Sequence, residues 1–151
     1  ILYNPFVAAL PMFKGVFAGM LCTLPIIYDI AHLHWGRHLA VLGMSAFLFI
    51  VGREILMDVL DVEGDSLAGL RTVPVAIGAR RASILGIALT VLAGLLLAPA
   101  AALSATNGAL YTLLLLLLTI AIAMWTRGGF HRRDAVRALL FPMPVFVFLI
   151  S

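Results

Sequence analysis

The amino-acid sequence predicts an all-α integral membrane protein, built as a bundle of helices that cross the bilayer several times. Of the 151 residues, 64% are hydrophobic and 11% are charged, whereas about a quarter are charged in soluble globular proteins. Uncharged apolar runs of nearly membrane-spanning length recur along the chain, which is typical of membrane helices. The sequence lacks the alternation that is typical of strands, and helices satisfy their backbone hydrogen bonds internally, as a bilayer requires.

The apolar runs and the charges between them predict about five membrane-spanning helices. The first contains Pro25, which is expected to kink it, and the second is interrupted only by the charged pair Arg53 and Glu54. The third is rich in small residues, the fourth carries the leucine run 113–118, and the fifth continues to the last residue. In order, the predicted spans cover residues 13–28, 39–57, 82–103, 109–125 and 135–151.

The basic residues predict the orientation of this bundle. If successive spans alternate in direction, nine of the ten Lys and Arg side chains fall on one side of the membrane and only Arg37 falls on the other. The side with the excess is therefore expected to be cytoplasmic. The net charge of +3 does not indicate a nucleic-acid partner, because the basic residues are scattered between apolar runs. Membrane lipids with anionic headgroups suit this pattern better.

The stretch REILMDVLDVEGD, residues 53–65, holds five of the seven acidic residues. On a single helix with about 100° per residue, Glu63 falls on the side opposite to the other four. Like charges at helical spacing repel each other, so such a row is destabilising unless a partner neutralises it. The four acids that share an arc roughly 60° wide on this helix are Glu54, Asp58, Asp61 and Asp65.

The residues alone leave three interpretations of this acidic row open. The row can be a solvated interfacial loop, the proton or cation relay of a transporter, or a divalent metal site that holds a phosphorylated substrate. Mg²⁺ prefers hard oxygen ligands and usually keeps waters and phosphate oxygens in its shell. An acidic row without a metal would repel a diphosphate, and Arg71 lies near in sequence to take the remaining charge. The chemistry therefore modestly favours the metal site.

The longer segment GREILMDVLDVEGDSLAGLRTVPVAIGARRA, residues 52–82, resembles the second aspartate-rich region of the UbiA superfamily of intramembrane prenyltransferases. The family has nine membrane helices, and this region lies between the sixth and the seventh. The resemblance implies that chain 1–151 corresponds to helices five to nine, the C-terminal half of one transmembrane domain. The motif residues that carry the resemblance are Asp58, Asp61, Asp65, Gly69, Arg71, Thr72, Pro74 and Gly78.

The family transfers a prenyl group from a prenyl diphosphate to a lipophilic, often aromatic acceptor, with Mg²⁺ as cofactor. The resemblance therefore implies the same reaction here, in the cell membrane of a prokaryote and with the active site on the cytoplasmic side. By position, the three motif aspartates Asp58, Asp61 and Asp65 are the expected catalytic metal ligands. Arg71 is expected to contact the diphosphate. Further candidates for substrate binding are Glu54, Lys14 and Tyr3.

The chain departs from the family pattern in three respects. The family's first aspartate-rich motif lies between its second and third helices and is not among these residues, so the chain alone is expected to be inactive. The family's Tyr-x-x-x-Lys pattern before its fifth helix is met here by Tyr3 with Val7 in the lysine position, which leaves Lys14 as the substitute. The position directly before the first aspartate, where the family often has a lysine, is Met57 here.

The alternative function is a fragment of a cation-coupled transporter or channel, whose carboxylates would belong near the bilayer midplane.

Overall fold

The computed structural model describes residues 13–33, 37–98 and 105–127, together with residues 134, 136 and 137. All regular secondary structure within these residues is helical, which confirms the predicted all-α membrane bundle. Six helices follow one another along the chain: α1 Lys14–Leu33, α2 Arg37–Leu60, α3 Val62–Leu67, α4 Val73–Ile77, α5 Ala79–Leu96 and α6 Ala105–Arg127.

Among the described residues, three helices are long and apolar enough to cross a membrane, and they correspond to the predicted second, third and fourth spans. Helix α1 corresponds to the first predicted span, has 20 residues and continues through Pro25. The fifth predicted span, 135–151, lies outside the described residues except for 136 and 137. The spanning segments are Ala40–Leu60 in α2, Ala79–Leu96 in α5 and Gly108–Arg127 in α6.

Helix α5 ends earlier than the third predicted span, which extended to residue 103. Its last residue is Leu96, and the N–H of Leu97 then turns back to the carbonyl of Gly94 at 3.2 Å. Pro99 follows two residues later. Because proline has no N–H and disfavours a helical conformation in the residue before it, a helix tends to end ahead of it. The residues from 99 to 104 lie outside the described part of the chain.

The acidic stretch is not one continuous helix, which corrects the single-helix geometry predicted for residues 54–65. Helix α2 ends at Leu60 and helix α3 begins at Val62. Between them, Asp61 has φ −104° and ψ 8°, and its N–H reaches the carbonyl of Asp58, three residues back, at 3.3 Å. Aspartate is a weak helix former and neighbouring carboxylates repel each other, so the helix is easily interrupted at this point.

Helix α2 packs against both α1 and α5, and small residues make these contacts close. A Cβ atom added to Gly86 of α5 would lie 2.8 Å from Leu56 Cγ and 2.9 Å from the carbonyl oxygen of Gly52, both in α2. A Cβ atom added to Gly19 of α1 would lie 2.8 Å from Phe47 of α2. Membrane helices associate largely through such packing of small residues, because lipid offers no hydrophobic driving force between them.

A polar contact and an apolar core add to the packing of α2 on α5. The hydroxyl of Ser45 in α2 donates a hydrogen bond to the carbonyl oxygen of Ala93 in α5, and this contact is buried. The buried apolar residues around it continue from α2 into α5 and α6, so these three helices share one core. Its members include Leu42, Phe49, Leu56, Ala93, Leu114, Leu118 and Trp125.

The order of contacts shows that α2 runs antiparallel to both of its neighbours. The start of α1 meets the end of α2, as in the pair Lys14 and Asp58. In the other pair of helices, Gly52 of α2 contacts Gly86 of α5, whereas Ser45, which is earlier in α2, contacts Ala93, which is later in α5. The start of α1, the end of α2 and the start of α5 therefore lie together. Helices α3 and α4 connect α2 to α5 at the same place. We call it the acidic end of the bundle.

Candidate functional site

The lysine that begins helix α1 contacts two carboxylates of helix α2. Lys14 Nζ lies 2.9 Å from Oδ1 of Asp58 and 3.8 Å from Oε2 of Glu54. Residues four apart lie on one face of a helix, so Glu54 and Asp58 present their side chains to α1 together. The sequence names all three residues as candidates for the site, and the structure brings them into contact with one another.

Arg53 extends this contact into a row of alternating charges. Its Nη1 donates a hydrogen bond to Oε1 of Glu54 at 2.9 Å, so the order is Arg53, Glu54, Lys14 and Asp58, which we call the charge quartet. The two cations and two anions cancel in formal charge. The side chain of Asp58 is only 7% exposed and that of Lys14 is 33% exposed. A carboxylate so deeply buried is stable only with a charge partner, and Lys14 supplies it.

Arg53 is the member of the quartet to which the sequence assigned no role. A signal was present, since an ionisable residue inside an apolar span usually has a specific partner or a function. Its neighbour Glu54 is such a partner, through one hydrogen bond. The Nε atom of Arg53 is buried and has no hydrogen-bond partner among the described residues. The guanidinium thus uses one of its donors on Glu54 and keeps Nε unused.

The other two motif aspartates lie in different settings. Asp65 of α3 is half-buried and lies close enough to interact electrostatically with both Lys14 and Asp58. Asp61 is exposed at the break between α2 and α3. Glu63, which the helical count separates from the row, is exposed as well. Asp58 is therefore buried against Lys14, Asp65 lies near both of them, and Asp61 is accessible from outside.

The residues that follow the acidic stretch form a turn and the short helix α4. Gly69 and Gly78 have φ values of 69° and 87°, which favour glycine and explain its presence at these two motif positions. Arg71 is exposed. Thr72 is 3% exposed, and its hydroxyl has no hydrogen-bond partner among the described residues. Pro74 lies in the first turn of α4, where the missing N–H breaks no helical hydrogen bond.

The carboxylates of the acidic end suit a hard divalent cation by their chemistry. In the part of the chain that the structure describes, no three His, Cys, Asp or Glu side chains stand together as a metal centre. Mg²⁺, however, is commonly held by one or two carboxylates together with waters and substrate phosphates. Asp61 and Asp65 fit that role, and Asp58 offers the oxygen that Lys14 does not bind. Tyr3, a predicted substrate contact, lies outside the described residues.

Spanning helices with acidic side chains at one end of the bundle define the class: an integral membrane protein of the all-α type with a cluster of charged residues at one end. The residues of the motif fall at this site, from Asp58 in α2 to Gly78 after α4. The sequence profile of the UbiA prenyltransferase family matches residues 2–150, nearly the whole chain. The chain therefore belongs to the UbiA prenyltransferase family, and the resemblance of its acidic motif is confirmed.

Similar proteins in archaea are named digeranylgeranylglyceryl phosphate synthase. The chain is 36% identical to the protein of Methanosarcina mazei over 101 residues, which are 66% of this chain and 35% of that protein. It is 38% identical to the protein of Thermococcus onnurineus over 84 residues, 54% of this chain and 30% of that protein. The match thus spans about a third of each relative's length. No solved structure matches the chain.

Proposed function

We propose that the complete protein that contains this chain is a membrane prenyltransferase, which moves a prenyl group from a prenyl diphosphate to a lipophilic acceptor. Membership of the UbiA prenyltransferase family carries the proposal. The position of the acids supports it over the transporter interpretation, because Asp58 lies in the last turn of the spanning segment of α2, and Asp65 in α3 lies beyond that segment. Carboxylates that carry an ion across a membrane belong near the midplane.

We propose a glyceryl phosphate as the acceptor rather than an aromatic ring. The name of the relatives describes a product with two geranylgeranyl groups on a glyceryl phosphate. The acceptor would then be a glyceryl phosphate that already carries one prenyl chain. Its phosphate stays at the membrane surface while its chain lies among the apolar helices. Its free hydroxyl oxygen forms a bond to the first carbon of the prenyl donor, diphosphate leaves with the bonding electrons, and the hydroxyl proton is lost.

The acidic end is proposed to hold the diphosphate group of the donor. Asp58, Asp61 and Asp65 are the proposed ligands of Mg²⁺, which supplies charge neutralisation of the leaving diphosphate when it is bound. Arg71 follows them in the chain, is exposed, and is proposed to bind diphosphate oxygens, for which a guanidinium is well suited. The apolar helices exclude water from the positive charge that develops on the prenyl carbon.

The remaining predicted residues are proposed to act around this centre. Lys14 contacts both Glu54 and Asp58, so Lys14 and Glu54 stay proposed substrate-binding residues. Tyr3 stays a proposed substrate contact. We further propose that residues 1–151 correspond to helices five to nine of the family's domain. The first aspartate-rich motif, on helices outside these residues, would complete the metal site. The acidic end is proposed to face the cytoplasm of a prokaryotic cell, because the alternation of the predicted spans assigns nine of the ten basic residues to that side of the membrane.

The acidic stretch itself supplies a matched test. In the complete protein, Asp61→Ala and Asp65→Ala should lower the divalent-dependent transfer of a geranylgeranyl group to geranylgeranylglyceryl phosphate by at least about 10²-fold, the size typical for a lost electrostatic contact in a transition state. Glu63→Ala is the control, because Glu63 lies in the same stretch and is exposed but is not one of the motif aspartates. It should retain transfer, and all three variants should reach the membrane in equal amounts.

Two outcomes would contradict the proposal. Transfer at the wild-type rate by Asp65→Ala would show that this carboxylate holds neither metal nor diphosphate. Transfer to an aromatic acceptor without transfer to geranylgeranylglyceryl phosphate would show that the acceptor is wrong while the reaction class is right.

A further inference from the structure

Lys14 contacts the first aspartate of the motif, which is one of the proposed ligands of the divalent cation. Its Nζ lies 2.9 Å from Oδ1 of Asp58, so a divalent cation on this carboxylate would lie within a few ångströms of the ammonium and be repelled by it. The contact is specific, because Lys14 also lies 3.8 Å from Glu54 on the same face of α2. It joins residues that are 44 positions apart in the chain.

The surroundings of Lys14 hold its ammonium in place. The first turn of α1 packs closely on α2, where a Cβ added to Gly15 would lie 3.2 Å from Cβ of Glu54. Glu54 is itself held on its other oxygen by Arg53 at 2.9 Å. The charge quartet is therefore already neutral without a further ion. A divalent cation that binds Asp58 must offset the loss of this contact, and it is repelled by an ammonium a few ångströms away.

We propose that Lys14 is a built-in counter-cation, which competes with the divalent ion for Asp58 and makes the ion bind weakly until a diphosphate is present. A diphosphate brings its own negative charges, and these can accept the ammonium of Lys14 and the divalent ion at the same time. The ion and the diphosphate then bind together rather than one after the other. The inference rests on the proposed function for the identity of the anion, and it concerns binding and not turnover.

Direct measurement of Mn²⁺ binding to the complete protein in detergent, by the loss of the free-ion paramagnetic resonance signal, tests this proposal. Lys14→Met should bind Mn²⁺ about tenfold more tightly than the wild type in the absence of diphosphate, as expected when a unit charge is removed from a partly buried site. Lys14→Arg keeps the charge and should bind like the wild type. Inorganic diphosphate should strengthen Mn²⁺ binding more in the wild type than in Lys14→Met.

Arg127→Met is the matched control, because Arg127 is an exposed basic residue in the last turn of α6. This variant has the same change in net charge and should leave Mn²⁺ affinity unchanged. If Lys14→Met misfolds, the double variant Lys14→Met with Asp58→Asn removes both charges of the pair, and Mn²⁺ should bind it no more tightly than Lys14→Arg. Tighter binding to this double variant would overturn the proposal, because the gain would not depend on Asp58.

Equal or weaker Mn²⁺ binding by Lys14→Met would also overturn the proposal. That result is distinct from a failure of the proposed function. If the wild type transfers a prenyl group with Mn²⁺ while its Mn²⁺ affinity does not respond to Lys14, the function stands and the counter-cation role is wrong. If Mn²⁺ binding responds to Lys14 as expected but no prenyl diphosphate is consumed, the counter-cation role stands and the reaction is wrong.

Discussion

The pair of Lys14 and Asp58 predicts an unequal cost for the loss of either partner. Lys14→Met leaves the carboxylate of Asp58, 7% exposed, without the contact at 2.9 Å. Asp58→Asn leaves an ammonium that is 33% exposed and that still has Glu54 at 3.8 Å. Breaking a buried pair by removing one partner costs about 3–5 kcal/mol, whereas an exposed pair contributes about 1 kcal/mol or less. Lys14→Met should therefore cost nearly as much free energy of unfolding as a broken buried pair, and Asp58→Asn about as little as the loss of an exposed pair.

We expect Lys14→Met to lower the free energy of unfolding by about 3 kcal/mol and Asp58→Asn to lower it by about 1 kcal/mol. The double variant should lose about 2 kcal/mol, less than Lys14→Met alone, because no uncompensated carboxylate is left. The coupling energy of the double-mutant cycle is then about 2 kcal/mol in favour of the pair. The free energies are measured by titration with sodium dodecyl sulfate in mixed micelles, followed by circular dichroism.

A second ion pair in the chain serves as the control for this cycle. Arg137 Nη1 lies 3.7 Å from Oδ1 of Asp134, with side chains 78% and 40% exposed. Its coupling energy should be within about 0.5 kcal/mol of zero, as is usual for exposed pairs one helical turn apart. The reasoning is refuted if Asp58→Asn costs more than Lys14→Met, or if the coupling at Lys14 and Asp58 is no larger than the coupling of this exposed pair.

Three further predictions concern the frame of the site and its orientation. Gly86→Ala should lower the free energy of unfolding by about 1–3 kcal/mol, because its Cβ would lie 2.8 Å from a leucine of α2 and overpacking costs this much. Gly64→Ala is the control in the same titration and should not lower the free energy of unfolding, because a Cβ at Gly64 would lie in open space. Ser45→Ala should lower the free energy of unfolding by about 0.6 kcal/mol and by no more than about 1.7 kcal/mol, the average and the maximum measured for hydrogen bonds between membrane helices. An unchanged free energy of unfolding would show that this hydrogen bond does not stabilise the packing of α2 on α5. Ser66→Cys, exposed on α3, should react in a Cys22→Ser background with an impermeant maleimide added from the cytoplasmic side and not from the outside.

The spanning helices could be predicted from the sequence because they follow from composition. A run of about twenty apolar residues in a membrane has few alternatives to a spanning helix. The predicted second and fourth spans lie within the observed α2 and α6, which extend a few residues further at both ends. The interruption at Asp61 could not be predicted in the same way. A helical count assumes one uniform rotation per residue, so it places the acids on one arc and has no means of detecting a tighter turn at one residue.

The acidic motif could also be identified from the sequence, but the contacts of its acids could not be predicted. Asp58, Asp61 and Asp65 belong to one linear motif, which a family resemblance identifies without any knowledge of packing. The pairing of Lys14 with Asp58 spans 44 positions and depends on which faces of α1 and α2 meet. A lysine at the start of an apolar run is equally well explained as an interfacial anchor. Only the packing of the two helices distinguishes these roles.

That packing depends on the residue next to the lysine. A Cβ at Gly15 would lie 3.2 Å from Cβ of Glu54 and 3.6 Å from the carbonyl oxygen of Val51, so a larger residue there would push α1 away from α2 at the turn that carries the charge quartet. Lys14 would then no longer reach Asp58, and the carboxylate would lose its cation although every residue of the acidic motif is unchanged. In the proposed counter-cation role, the motif supplies the anions of this site, whereas a lysine and a glycine of another helix set how strongly those anions attract a metal ion.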